Sequence, residues 1–215
     1  MKLYYVQGSP NCRKVHAVIK HLGLQVEFAY LDFFAGDLAT GEFGQLNPNR
    51  MVPVLVDGDF ELWESNAINQ YLAGQVPGNN LFPNDSKLRA DIVRWLSWEL
   101  AHYNQALGTL SFEAVAKPNF LHLEPHQPLI AWCVEGLNRY APVLEAALQG
   151  RNYLVGDAPT LADYAVAHQE PFVDAVPFDW TPYPNISAYY QRMRSNPHWA
   201  STAVSPAEMG RRPSE

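Results

Sequence analysis

The sequence has few of the features that would place a protein outside the cell or in a membrane. Its 215 residues include only two cysteines, Cys12 and Cys133, too few for the disulfide framework of a small secreted protein. No run of about 20 apolar residues is long enough to span a bilayer, and no apolar stretch follows a basic start as in a secretion signal. We therefore expect a soluble, cytoplasmic protein in a reducing environment.

Signatures of several partner and enzyme classes are also missing. The formal net charge is -7 and Lys and Arg form no sustained run, so we expect neither nucleic acid nor a membrane as partner. There is no P-loop or G-x-G-x-x-G, and no G-x-S-x-G around Ser9, which argues against nucleotide enzymes and α/β-hydrolases. His122 and His126 have a metal-ligand spacing, but Pro125 breaks the helix that this spacing needs and no third ligand is evident. We expect no metal.

What is present is the composition of a folded protein, 47% hydrophobic and 17% charged, with two kinds of periodicity. In the first part, short apolar strands alternate with amphipathic helices, and Asp57-Gly58 marks a hairpin turn. The predicted elements are a strand at 3–6, a helix at 11–22 stopped by Gly23, a strand at 26–31, one short helix within 32–46, the hairpin, and a helix capped by Ser65. This order predicts a small mixed sheet with helices on its faces.

A cluster of Pro, Gly and Asn over residues 77–85 predicts a linker. Beyond it the periodicity is helical. The predicted helices cover 88–110, 129–148, 160–173 and 186–195, with a proline-bearing loop at 117–128, and the tail after Pro206 is expected to fray. The sequence thus predicts an α/β domain at residues 1–79 and an all-helical domain at residues 85–215.

The turn "GSPNCRK", from Gly8 to Lys14, joins the first strand to the first helix. A C-x-x-C motif at such a junction is the dithiol signature of thioredoxin-like proteins. Here Ser9 takes the place of the first cysteine and only Cys12 keeps its sulfur. A serine hydroxyl at a helix N-terminus, where N–H groups and a partial positive charge favour an anion, can hydrogen-bond a thiolate without reacting itself. The alternative is that Ser9 only caps the helix.

Three segments in order and in register, "YYVQGSPNCRKVHAVIKHLGL", "NPNRMVPVLVDGDFELWESNAINQYL" and "YLVGDAPTLADYAVA", resemble the cytosolic glutathione S-transferases, of the bacterial theta-like, serine-type kind. The resemblance runs through nearly the whole chain. It implies a thioredoxin-like domain followed by an all-helical domain, glutathione as co-substrate, a small hydrophobic electrophile as second substrate, and a homodimer.

The resemblance assigns the catalytic role to Ser9, as hydrogen-bond donor to the glutathione thiolate. It implies that Val52 pairs its backbone with the cysteinyl unit of glutathione, next to a cis Pro53. Ser65 and Glu64 would bind the γ-glutamyl carboxylate and ammonium groups, with Asn66 supporting them. From the residues alone, Ser65 could be a plain helix cap and Pro53 the start of an edge strand.

In one place the sequence departs from the family pattern. Relatives often carry His or Lys within the segment that matches 36–42, and Lys or Gln just before the Val-Pro pair. This chain has "GDLATGE" and Met51 there, which leaves Arg50 as the candidate partner of the glycyl carboxylate, or else as a solvated loop arginine. Asn11 is a possible helper of Ser9. Cys12 is either a buried structural thiol or a residue that forms a mixed disulfide with glutathione.

In the helical domain the resemblance implies a co-substrate pocket, for which the candidates are Trp98, His102, Tyr103 and Phe112. The aromatic stripe formed by Trp95, Trp98 and Tyr103 also suits a core or a dimer surface. Thr160 and Asp163 form a capping-box pattern, interpreted as a stability feature. Two alternative functions stay open: a binding or regulatory protein of the same fold with little turnover, and a glutathione-dependent thiol-disulfide reductase that uses Cys12.

Overall fold

A four-stranded mixed sheet organises the first 82 residues of the computed structural model, which describes residues 1–213. The strands are β1 Lys2–Tyr5, β2 Glu27–Tyr30, β3 Val54–Asp57 and β4 Phe60–Trp63. Their order is β2-β1-β3-β4, with β1 parallel to β2 and antiparallel to β3. In the centre of the sheet, Leu3 of β1 lies between Phe28 and Leu55. The predicted mixed sheet is confirmed.

Helices α1 Pro10–Leu22, α2 Gly41–Leu46 and α3 Ser65–Gly74 complete this part of the fold. The apolar face of α1 is buried, and the helix ends at Gly23, whose φ of 65° lets its N–H donate to the carbonyl groups of Ile19 and Lys20. The segment 32–46 contains two short helical pieces instead of the predicted one. Thr40 ends a 3₁₀ turn at Asp37–Ala39 and its hydroxyl caps α2 by accepting from the Phe43 N–H.

The second compact unit, residues 83–195, is helical in its described elements. Its α-helices are α4 Ser86–Trp98, α5 Asn104–Ser111, α6 Gln127–Ala147, α7 Leu161–Val166 and α8 Pro184–Ser195. A wider π-helical turn at Glu99–Tyr103 joins α4 to α5, and a second at Phe112–Leu121 extends the same helical run beyond α5. That run continues to Leu121 and so takes up part of the predicted loop at 117–128. After α7 the chain tightens into a 3₁₀ segment that contains Pro171, which cannot donate to an α-helical ladder.

Asp163 is the polar centre of this unit. Its carboxylate accepts the Leu154 N–H at 2.9 Å and the Thr160 N–H at 2.8 Å, which completes a capping box at the start of α7. The side chain is fully buried, and this burial raises the pKa of the Asp163 carboxyl to about 6, while the hydrogen bonds from Leu154 and Thr160 limit the rise. Asp163 thus holds the loop at Leu154 against the start of α7, and we interpret this contact as stabilising the fold.

After α8 the chain returns to the first compact unit, which therefore comprises residues 1–82 and the chain from Asn196 onward. A short helix, α9 Pro197–Ala200, places Trp199 under the guanidinium of Arg13, 4.2 Å from the ring centre. Further on, the Gly210 N–H donates to the Gln7 carbonyl at 2.8 Å and the Gly210 carbonyl accepts from the Phe33 N–H at 2.7 Å.

The predicted fraying of the tail is therefore wrong for residues 208–212, because Glu208, Gly210 and Arg211 make backbone hydrogen bonds and the Arg212 guanidinium donates to the Asp37 carboxylate. Ser214 and Glu215, which that prediction also covered, lie outside the described residues. The compact units differ from the predicted domains 1–79 and 85–215 in where residues 196–213 lie. None of the described helices has the length and apolar character needed to cross a bilayer.

Candidate functional site

Ser9 lies at the point where the chain leaves the sheet and enters α1. It is the N-cap of the helix, with extended backbone angles, and its Oγ accepts the Cys12 N–H at 3.4 Å. The side chain is partly exposed. A serine oxygen that accepts a hydrogen bond still has its own O–H proton to donate. Ser9 is thus both the helix cap and an available donor, so the two sequence-based interpretations are compatible.

The conformation of Gly8 sets the direction in which Ser9 leaves the sheet. Gly8 has φ +77°, in the left-handed region that glycine adopts without steric cost. The side chain of Met209, from the carboxyl-terminal tail, packs against it, and a Cβ at Gly8 would meet the Met209 Cγ at 2.7 Å. The turn before Ser9 is therefore fixed from both sides, by its own backbone and by the tail.

Cys12 is fully buried, in agreement with its interpretation as a structural thiol. Burial raises the pKa of the Cys12 thiol to about 12, although hydrogen bonds with the Val6 backbone and the Ser9 side chain lower it. A thiol nucleophile needs an accessible, low-pKa thiolate. The geometry of Cys12 supplies neither property.

The start of α3 lies beside the start of α1. The Ser65 Oγ donates to the Asn11 Oδ1 at 3.1 Å and so joins the two helix ends. Ser65 was predicted as the N-cap, but it is the first helical residue, and Glu64 holds the cap position without a side-chain cap bond. The Ser65 N–H, in the first turn, still has no acceptor within the helix. Asn11 accepts through Oδ1, which leaves its Nδ2 as the donor.

Glu64 has a strained backbone, with φ 70° and ψ 108°. A non-glycine residue in such a region costs about 1–3 kcal/mol, and strain of this kind is concentrated at functional sites. The Glu64 side chain is exposed. The strain is consistent with a residue whose position serves a ligand.

Lys14 was missed by the sequence analysis, although it joins α1 to the first turn of α3. Its side chain is fully buried and its Nζ donates to the Asn66 Oδ1, in the first turn of α3, at 2.8 Å. The available signal was spacing: Lys14 precedes Val18 by four residues and therefore shares the apolar face of α1.

The Val52–Pro53 peptide bond is cis, as the resemblance implies. Just before it, Arg50 has φ 53°, and its Nη1 donates to the Thr40 carbonyl at 2.7 Å and to the Leu38 carbonyl at 3.3 Å. The guanidinium also lies against Gly44, where a Cβ would meet its Nη2 at 2.8 Å. Arg50 is thus not a freely solvated side chain, since it is held against the segment 38–44.

The four predicted co-substrate residues lie in the second unit and do not all lie together. Tyr103 is buried and its hydroxyl is 2.9 Å from the Tyr190 hydroxyl, while Trp98 stacks on its ring at 5.2 Å. His102 instead stacks on Tyr140 and lines a cavity of about 100 Å³. The ring of Phe112 is exposed. Tyr103 supports Trp98 from beneath and presents almost no surface of its own.

A thioredoxin-like α/β unit with a serine at the first helix end, followed by a helical unit, has the fold of a glutathione transferase. Family models agree: the glutathione S-transferase N-terminal domain matches residues 1–74 and the C-terminal domain matches residues 103–197. A glutathione S-transferase of Hyoscyamus muticus is 33% identical over 204 residues, which covers 93% of this chain and 96% of the relative. The chain belongs to the cytosolic glutathione S-transferase superfamily.

Solved structures agree with this assignment. The crystal structure of glutathione transferase F7 of Populus trichocarpa has a TM-score of 0.86 and 27% identity, and the match covers 94% of this chain and 96% of that one. A glutathione transferase of Phanerochaete chrysosporium, solved in complex with oxidised glutathione, has a TM-score of 0.81 and 26% identity, with 94% and 93% covered. The bacterial theta-like subtype stays a prediction.

Proposed function

We propose that the chain transfers glutathione to a small hydrophobic electrophile and that Ser9 stabilises the attacking thiolate. The observation that carries this mechanism is the hydrogen bonding of Ser9. Its oxygen accepts the Cys12 N–H, and its O–H proton would be donated to an incoming sulfur. The reaction then forms a bond between sulfur and the electrophilic carbon, and any leaving group departs with its electron pair.

The required energy is within reach of the groups present. A free thiol has a pKa of about 8.5, and lowering it below 7 takes roughly 2 kcal/mol of preference for the anion. A hydrogen bond to a charged group supplies about 1.5–3 kcal/mol and the helix N-terminus about 0.3–1 kcal/mol more. Ser9 at the start of α1 provides both contributions, so no general base is needed. Asn11, whose Nδ2 is available, is proposed as helper.

The γ-glutamyl end of glutathione is proposed to bind at the start of α3. The first-turn N–H groups there suit a carboxylate, and the Ser65 hydroxyl is fixed by its bond to Asn11. Glu64, held in its strained conformation, would face the ammonium group. The backbone of Val52 is proposed to pair with the cysteinyl unit, as an added strand would.

Arg50 is proposed as the partner of the glycyl carboxylate. Both of its hydrogen bonds use Nη1, and within residues 1–213 no bond from Nε or Nη2 is found. An arginine fork held by one nitrogen can still offer the others to a carboxylate. Its anchor points are the carbonyl groups of Leu38 and Thr40, in the segment where this chain has no His or Lys of its own.

For the second substrate we keep Trp98, His102 and Phe112 as the candidate contacts, with Tyr103 holding Trp98 in place. The active form is proposed to be a homodimer in the cytoplasm. Light scattering of the purified chain tests the dimer: a mass near 48 kDa is expected, twice the 24.2 kDa of one chain, and a mass of one chain would contradict it.

Turnover with an aryl chloride tests the mechanism. We expect the wild type to conjugate glutathione to the ring with release of chloride, and Ser9→Ala to lower kcat/KM about 100-fold, the loss of about 2.7 kcal/mol of transition-state stabilisation. Cys12→Ala is the control and should retain activity. Loss of activity in Cys12→Ala with Ser9→Ala unaffected would favour a reductase instead, and binding of glutathione without turnover would favour a regulatory protein.

A further inference from the structure

The carboxyl-terminal tail carries the next inference, which rests on the proposed function. Residues 208–212, here called the strap, lie in the same compact unit as the proposed glutathione site. The Gly210 N–H donates to the Gln7 carbonyl, after β1, at 2.8 Å, and the Gly210 carbonyl accepts from the Phe33 N–H, after β2, at 2.7 Å. The strap therefore joins the loops at the carboxyl ends of two parallel strands, the edge at which open α/β sheets bind their ligands.

Arg212 attaches the strap at a second point. Its Nη2 and Nε donate to the Asp37 Oδ2 at 2.7 Å and 3.2 Å. The same oxygen accepts the Asp32 N–H at 2.6 Å. The hydrogen bonds from Asp32 and then from Arg212 lower the pKa of the Asp37 carboxyl below its ordinary value, so this group is ionised at neutral pH. The Asp37 side chain is 19% exposed and that of Arg212 is 60% exposed, so Arg212 can be replaced without disturbing a core.

Consecutive hydrogen bonds lead from Asp37 to the proposed partner of the glycyl carboxylate. The Asp37 carbonyl accepts from the Thr40 N–H at 3.3 Å and from the Thr40 hydroxyl at 2.9 Å. The Thr40 carbonyl in turn accepts from the Arg50 Nη1 at 2.7 Å. Because Arg50 is anchored on Thr40 and Thr40 is anchored on Asp37, the position of the Arg50 guanidinium depends on where Asp37 is held.

The two attachments of the strap act on different parts of the site. Met209 packs against Gly8, directly before Ser9, whereas Arg212 holds Asp37. Removal of the Arg212 side chain leaves the first contact in place. It should therefore change the binding of glutathione without changing the hydrogen bond from Ser9 to the thiolate, while a general loss of structure would change both.

We propose that Arg212 is a positioning residue of the glutathione site, which through Asp37 and Thr40 holds the Arg50 guanidinium where it can bind the glycyl carboxylate. Arg212 acts through Arg50 and needs no contact of its own with glutathione. Binding of the glycyl carboxylate is thereby coupled to the docking of the carboxyl-terminal tail.

Four single variants and one double variant test this coupling. Arg212→Ala removes the ion pair, Arg212→Lys keeps its charge, and Asp37→Asn removes the charge of its partner. Arg211→Ala is the matched control, because it removes one charge from the same segment, where its guanidinium lies over the Phe34 ring, and leaves the ion pair intact. Each variant, and the double variant of Arg212→Ala with Asp37→Asn, is measured by steady-state kinetics with glutathione and with its glycyl ethyl ester, at saturating aryl chloride.

We expect Arg212→Ala to raise the KM for glutathione about threefold with kcat unchanged, a modest effect because an exposed ion pair contributes little. The KM for the ester, which lacks the carboxylate, should not change. Arg212→Lys and Arg211→Ala should behave as the wild type does. Asp37→Asn should reproduce the effect, and the double variant should be no worse than Asp37→Asn, because both residues act through one contact. A rise in both KM values, a fall in kcat, or an unchanged KM for glutathione in Arg212→Ala would overturn the proposal.

Arg50→Ala distinguishes this inference from the function on which it rests. If the wild type fails to conjugate glutathione, or if Arg50→Ala discriminates between glutathione and the ester as strongly as the wild type does, the proposed function of the site is wrong and the role of Arg212 falls with it. If Arg50→Ala loses that discrimination and Arg212→Ala keeps it in full, the inference alone is wrong.

Discussion

Individual residues in the first unit combine a structural and a chemical role. Ser9 caps α1 through its oxygen and keeps its proton available, while Cys12, three residues on, is too buried for thiol chemistry. The sequence motif could identify both positions. The resemblance ranked Ser9 first, but the burial of Cys12 could not be predicted from the motif, because the packing of α1 on the sheet decides it.

Arg50 gives the residue-scale prediction. We expect Arg50→Ala to raise the KM for glutathione about tenfold with kcat nearly unchanged, because the glycyl carboxylate is far from the sulfur and contributes uniform binding. The measurement is steady-state kinetics with glutathione and with its glycyl ethyl ester.

The ester is the control for this assignment. It lacks the carboxylate that Arg50 is proposed to bind, so the wild type should lose affinity for the ester while Arg50→Ala loses little more. If Arg50→Ala discriminates between glutathione and the ester as strongly as the wild type does, another residue binds the glycyl carboxylate.

Elements differed in how well the sequence predicted them. Helix α1 and the hairpin β3–β4 were predicted closely, because an apolar stripe, Gly23 and Asp57-Gly58 are local signals. The π-helical turns at Glu99–Tyr103 and Phe112–Leu121, and the short helix α9, were not predicted, because they depend on the packing of neighbouring helices and on the return of the chain.

The capping box of α7 gives a prediction about pH. Burial raises the pKa of Asp163 to about 6 from its ordinary value of 3.8, so the folded chain binds this proton more tightly than the unfolded chain. The contribution of this bound proton to the unfolding free energy is therefore fully present below about pH 4, and it is lost as the pH rises through 6. Two pKa units correspond to up to about 3 kcal/mol.

A difference measurement isolates this effect. Burial lowers the pKa of His16 to about 4, and this group acts in the opposite direction over the same pH range. We therefore expect the difference in unfolding free energy between the wild type and Asp163→Asn, measured by urea titration, to be about 2–3 kcal/mol larger at pH 4 than at pH 7. An equal difference at both pH values would contradict the burial argument.

At the scale of the whole molecule, the ends of the chain meet in one compact unit. The tail pairs with Gln7 and Phe33 through Gly210, and Met209 covers Gly8. The division into an α/β part and a helical part could be predicted from periodicity. The pairing of the tail with the first strand region could not be predicted, because "AEMGRRPSE" contains no periodic pattern and its partners lie about 200 residues away in sequence.

Removal of residues 204–215 tests this contact. We expect the unfolding free energy to fall by about 2 kcal/mol, because two backbone hydrogen bonds at about 0.5–1.5 kcal/mol each and the packing of Met209 are lost. Differential scanning calorimetry provides the measurement, with Arg211→Ala as a milder variant that keeps the backbone pairing. An unchanged midpoint in the truncated chain would show that the tail does not stabilise the unit.

The central claim is that Ser9 stabilises the glutathione thiolate, and ultraviolet titration of bound glutathione in the wild type and in Ser9→Ala tests it most directly. We predict that the bound thiol of the wild type titrates well below the value of about 8.5 for a free thiol and that most of this shift is lost in Ser9→Ala. A shift of the same size in Ser9→Ala would contradict the account and transfer the role to Asn11 or to the end of α1.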